Sequence, residues 1–241
     1  ESKEASETVI INNMPYGTEW YFNDAMTEIY NGFWALQGIS NYSHSLPASL
    51  DGRWRFFQNF CFDYRGFHFI GLDFNSRAPA PLWYKGVGPT AQLFPFEGGS
   101  WNWFTENVTQ YLDDHANNYN GRNIMLFSHH LMQQHRFTAF SLIESVIMSL
   151  YLIPVNNNIV ADFAGHLHSG NFGYGYQDYY EFAGISIVKT QANKDDPEVR
   201  IVQVFPDGTI DYDTILPEHA QSTTAYCPVD IILTDPDGLI V

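Results

Sequence analysis

The sequence predicts an α/β layered domain that runs on into an antiparallel stretch. Three observations lead there. The short apolar runs NIMLFSHH, 123–130, and Asn158–Phe163 have the length and composition of buried strands. Residues 101–119 and 138–152 carry helical apolar spacing before and between them. From Phe172 to Ile215, aromatic and β-branched residues alternate with turn formers, as in successive strands.

The elements follow in chain order. Residues 20–37 have a helical rhythm of Trp20, Phe22, Met26, Ile29, Tyr30, Phe33 and Trp34. Residues 38–56 are rich in Ser, Asn, Gly and Pro and are expected to be a loop. FCFDYRGFHFIGLDF, 60–74, is a hairpin, with strand formers on both sides of a tight Arg65-Gly66 turn. Proline and glycine across 76–99 mark a second long loop, a kind that often carries function. Trp103, Phe104, Val108, Tyr111 and Leu112 give the helix of 101–119 its apolar stripe, with Ser100 as the expected N-cap. The apolar helix of 138–152 is closed by Pro154, and Pro206-Asp207-Gly208 is a turn within the last strands.

Composition sets limits. Of 241 residues, 45% are hydrophobic and 17% aromatic, enough for one large core or two small ones. No apolar run reaches the roughly eighteen residues that a membrane helix needs. The net charge is −16, a field that repels polyanions and argues against nucleic-acid binding. Lysine and arginine are scarce, which points to an exported or cell-surface protein. The opening ESKEASE reads as a solvated end of the kind that processing leaves. Cys61 and Cys227 either pair across a long loop in an oxidising compartment or remain two buried thiols.

Histidines carry the chemistry. The first predicted strand ends in His129 and His130, the second in Gly165-His166-Leu167-His168. Residues i and i+2 of an extended segment point the same way, so His166 and His168 can converge on one centre. Gly165 lets the backbone turn sharply, and ligands of open α/β sheets sit at the carboxyl ends of strands. Neutral imidazole suits Zn, Mn or Fe. A lone His-x-His is more often a hydrogen-bonded loop pair; two clusters at consecutive strand ends favour a metal. His135 is read as an exposed loop residue with a substrate-contacting alternative, and His44 as a residue that a long loop could bring near the site. His68 is a satisfied strand residue, and His115 and His219 are surface positions. Asp73 and Asn75 are expected to cap a turn.

FDYRGFHFIGLDFNSR, the Trp-containing helix, IMLFSHH and AGHLH, in that order and spacing, resemble the C-terminal half of the calcineurin-like metallophosphoesterases across roughly residues 58–190. The resemblance implies a layered β-sandwich flanked by helices, incomplete at its N-terminal side. Its domain would span 1–218, with 219–241 opening a further β-rich extracellular domain or a terminal strand. It implies His129 and His166 on one divalent metal and His168 on another. His130, the neighbour of the ligand His129, and His135, a loop histidine that can touch the substrate phosphate, would be the candidate catalytic residues, and two metals roughly 3.5–4 Å apart would activate water and clamp the phosphoryl oxygens.

The family's first half also supplies Asp-x-His, Gly-Asp-x-x-Asp and Gly-Asn-His-Asp/Glu. Ahead of the hairpin neither of the first two occurs. TVIINNMPYG, 8–17, stands where the third should be, so Asn13 would keep the asparagine ligand while Met14 replaces a histidine and cannot act as an acid. Three readings stay open: a fragment of a phosphoesterase acting on a phosphoester, a degenerate relative serving as a binding or structural module in a surface assembly, and a single-metal site. Lacking the first half's strands, the chain is expected to expose apolar sheet surface or an edge and to bury it by self-association or against a companion chain.

Overall fold

The structure, a computed structural model, describes residues 40–45, 48–50, 53–55, 59–74, 91–95, 99–115, 123–132, 140–165, 179–189, 198–205 and 209–217. The predicted helix of 20–37, the Pro206-Asp207-Gly208 turn and the segment 219–241 lie outside them.

The strands are β1 (Ser40–His44), β2 (Ala48–Leu50), β3 (Arg53–Arg55), β4 (Phe60–Tyr64) and β5 (Phe67–Leu72), followed by β6 (Ile124–Ser128), β7 (Ile159–Ala164), β8 (Tyr179–Phe182), β9 (Ile185–Lys189), β10 (Glu198–Val204) and β11 (Ile210–Pro217). Two helices, α1 (Ser100–His115) and α2 (Leu142–Leu152), fill the crossovers β5–β6 and β6–β7. Seven strands form one mixed sheet in the order β1-β4-β5-β6-β7-β9-β8. β5, β6, β7 and β9 run parallel, while β4 and β8 are antiparallel to their neighbours.

The apolar runs at β6 and β7 are strands because both of their faces are buried, which favours continuous rather than alternating hydrophobicity. One face meets Trp103, Phe104, Val108 and Tyr111 of α1 and Met148 and Leu152 of α2, against Ile70, Leu126, Ile159 and Ile187 of the sheet. The other buries Phe62, Phe69, Met125, Phe127 and Phe163, with Val202, Ile210 and Tyr212 of the antiparallel β10–β11 pair packed on it. The Phe163 ring meets Tyr212 edge-on at 5.9 Å. The described core is thus helices, mixed sheet and a two-stranded ribbon in layers.

The β4–β5 hairpin turns where it was expected, with Arg65 and Gly66 both at positive φ, 49° and 84°, as a two-residue hairpin turn requires. Several expectations are corrected. The stretch 38–56 is not simply loop: it holds β1 and the small β2–β3 hairpin. β1 escapes detection because it is polar and, among the described residues, pairs only with β4. α2 begins at Leu142 rather than 138, since Ser141 and Glu144 form a reciprocal capping box. Ser100 is the first residue of α1 rather than its N-cap; its hydroxyl donates to the carbonyl of Asp73 at 2.6 Å. The tail is not wholly antiparallel, because β9 joins β7 in parallel and β8 folds back on β9 through Ala183-Gly184. The expected exposed sheet face is covered on both sides at the centre. Among the described residues, the large exposed apolar side chains instead belong mainly to α2, with Val204 and Phe205 beyond it. Among the described residues the edge strands are β1 and β8.

Candidate functional site

Register brings the parallel strands to one rim. Leu72 pairs with Ser128, Ser128 with Ala164, and Ala164 with Lys189. The chain therefore leaves the sheet at one level at Asp73, His129 and Gly165. This is the carboxyl end of the parallel strands, where helix crossovers leave room for a ligand.

His129 is half-buried, and its ring stands beside position 165. A methyl group built on Gly165 would meet His129 Nδ1 at 3.6 Å and the His129 carbonyl oxygen at 3.8 Å. The imidazole is thus in ordinary contact range of the residue immediately before His166. His130 is buried, and its ring meets that of His129 edge-on at 4.8 Å between centroids. His166, His168, His135 and Asn13 lie outside the described residues. Among the described residues, no group of three or more His, Cys, Asp and Glu side chains converges as a metal site would. What is described is one half-buried imidazole of suitable donor chemistry in contact range of Gly165.

The rim is built by polar residues that motif reading passed over. Asp162 on β7 has no exposed surface, and both its carboxyl oxygens lie 3.2 Å from Ser128 Oγ. Burial raises the Asp162 pKa to about 7, against the lowering effect of the Ser128 hydrogen bond. Ser128 Oγ also donates to the His130 carbonyl at 2.8 Å, closing a tight turn around His129. Just before β4, buried Asn59 accepts from the Asp73 amide through Oδ1 at 2.8 Å and donates through Nδ2 to Ser100 Oγ at 3.1 Å. That network fixes the end of β5 to the start of α1. Lys189 is buried at the end of β9, in register with Ala164, and places an amine at the same rim. The sequence signal for Asp162 was one acidic residue inside the apolar run IVADFA; for Lys189, a lysine closing ISIVK.

Other histidines fall elsewhere. His44 reaches the same rim at the end of β1, paired with Phe60. It is three strand spacings, roughly 14 Å, from β6. His68 stands at the opposite end of the sheet, buried, with Nδ1 2.6 Å from Asp63 Oδ1 and its ring stacked on Tyr111 at 4.2 Å. The expectation of a satisfied strand residue holds for that nitrogen; Nε2 is buried without a hydrogen-bond partner. The chain's one Asp-x-His triplet, Asp113-Asp114-His115, closes α1 and not a strand, so it does not stand in for the family motif. Asp73 is buried at the end of the hairpin, its backbone amide held by Asn59, while Asn75 lies outside the described residues. Comparison with family models, with curated proteins and with solved structures finds no match to this chain.

Proposed function

We propose that this chain is a metal-dependent phosphoester hydrolase-like domain of an exported or cell-surface protein, with a calcineurin-like metallophosphoesterase arrangement of the sheet. The observation that carries the reading is the contact range between the His129 ring and Gly165 at the carboxyl rim of adjacent parallel strands. It sets one histidine motif beside the start of the other. His129, His166 and His168 are the imidazoles that would hold a divalent ion such as Zn, Mn or Fe, with Asn13 as a further ligand and His130 and His135 near the substrate. A bound divalent metal would supply Lewis-acid polarisation of phosphoryl oxygens and a water of lowered pKa. The chain's own contribution is to hold imidazole nitrogens at the rim and to orient them through buried hydrogen bonds. The overall negative charge does not exclude a phosphoester, since bound cations dominate the local field.

The test is metal content after incubation with Zn, Mn or Fe and desalting, together with turnover of bis(p-nitrophenyl) phosphate. His129→Ala and His166→Ala are each expected to lower retained metal by about tenfold or more. Retention that is absent in the parent, or unchanged in both variants, rejects the metal centre.

A second reading, a non-catalytic module of a surface assembly, is favoured by one observation. The outer face of α2 exposes Leu142, Ile143, Val146, Ile147 and Leu150, continued by Ile153 at its C-cap. A contiguous apolar face of this kind marks interaction surfaces on soluble proteins. A second copy of this chain is its proposed occupant. At a net charge of −16, two copies repel least where the facing surfaces carry no charge, and the exposed apolar residues of this face carry none.

A further inference from the structure

A carboxyl group wholly removed from water in the middle of an apolar strand is costly unless it is hydrogen-bonded. Asp162 sits between Ala161 and Phe163, opposite Leu126 and Ile187 in the neighbouring strands. Its carboxyl is hydrogen-bonded to Ser128 Oγ. A serine hydroxyl has one hydrogen, and the shorter of its contacts is to the His130 carbonyl, 2.8 Å against 3.2 Å. One hydroxyl thus links the Asp162 carboxyl, 3.2 Å away, to the His130 carbonyl, 2.8 Å away. The chain Asp162–Ser128–His130 carbonyl thus spans the residue between, His129. Side chain to backbone bonds of this pattern fix a local turn that the sheet ladder no longer holds.

We infer that Asp162 is a positioning residue for His129: acting through Ser128, it locks the 128–130 turn and so fixes the approach of the His129 imidazole to Gly165. As a claim about metal binding it rests on the reading given under Proposed function; as a claim about His129 it stands on the geometry alone. Groups that orient a ligand histidine without touching the metal set its affinity by about 10- to 100-fold.

Two readouts on the full chain separate these claims. The first is Zn(II) affinity, by competition with a chromophoric chelator. Asp162→Ala and Ser128→Ala should each weaken it by about 10- to 100-fold. Asp162→Asn, whose amide can still donate to Ser128 Oγ, should restore it to near the parent value. The second is the Cε1–H resonance of His129 in the zinc-free protein, assigned by its loss in His129→Ala. It should shift and broaden in Asp162→Ala and Ser128→Ala, and stay in place in Asp162→Asn. Should Asp162→Ala not fold, as judged by far-ultraviolet circular dichroism, Ser128→Ala carries both readouts. Zinc affinity lost in His129→Ala but kept in Ser128→Ala and Asp162→Ala, with the resonance unmoved, overturns the positioning role and leaves the metal centre standing. A resonance that moves as described while the parent takes up no zinc supports the positioning role and rejects the metal centre.

Discussion

At the residue scale, Asp162 ties stability to pH. Its folded pKa is raised to about 7 by burial, whereas an unfolded aspartate titrates near 3.9. Between those values the folded chain keeps a proton that the unfolded chain has released. The contribution is therefore fully present below about pH 4 and is lost as pH rises towards 7, a change on the order of 4 kcal/mol. Urea unfolding in the presence of EDTA should show the parent losing stability relative to Asp162→Asn between pH 4.5 and 7. Curves that keep a constant separation would mean that the carboxyl is solvated. Cys61 behaves in the opposite way to a reactive thiol. Burial, with the Asp63 charge nearby, pushes its pKa to about 12, and its sulfur donates to Asn107 Oδ1 at 3.2 Å. Thiolate, the reactive form, is then scarce at pH 8. Peptide mapping after iodoacetamide should find Cys61 unlabelled in the native chain and labelled in urea, and rapid native labelling would contradict the buried thiol. Its sequence-level alternative partner, Cys227, lies outside the described residues.

At the element scale, the hairpin shows how close the packing is. Phe60 pairs with Gly71 across β4 and β5, and a methyl group at 71 would run into the Phe60 ring. Both strands are pinned by the sheet, so Gly71→Ala is overpacked and should cost roughly 1–3 kcal/mol. Adding Phe60→Ala should recover part of that loss, a coupling measurable in a double-mutant cycle. Strict additivity would place the clash elsewhere. The same hairpin was legible from sequence because its signals are local: alternating strand formers and a two-residue turn containing glycine. β6 and β7 were legible because both faces are buried and the apolar run is continuous. β1 was not, since Ser40, Asn41 and Ser43 sit exposed on an edge and resemble a loop. The parallel joining of β9 to β7 was not legible either, because it depends on a partner more than twenty residues away. At the site, the motif histidine His129 was readable from its neighbours, while Asp162, Asn59 and Lys189 gain their meaning only from register. The start of α2 was readable in principle: Ser141-Leu-Ile-Glu144 is a capping box. Ser141→Ala should therefore destabilise the chain by about 1 kcal/mol in urea unfolding.

At the scale of the molecule, charge and apolar exposure act against each other. A chain at −16 repels its copies over a distance set by salt. α2 nonetheless turns Ile143, 72% exposed, and Leu150, 68% exposed, to the outside. They lie seven residues apart and so share a helix face. A helix with apolar residues on both its inner and outer faces is normally buried, and the described residues leave one side of this helix open. The expected site of self-association therefore shifts from a sheet edge to this helix, where two copies would pair face to face about a two-fold axis. Sedimentation velocity should show association that strengthens with protein concentration and, because salt screens the repulsion, with added NaCl. Ile143→Glu with Leu150→Glu places charge at the centre of the contact and should return the chain to monomer at all salt concentrations. A parent that stays monomeric throughout would remove the assembly reading. Association that survives both substitutions would move the contact to the edge strands β1 or β8, where unpaired backbone groups recruit another strand, and α2 would then have no part in it.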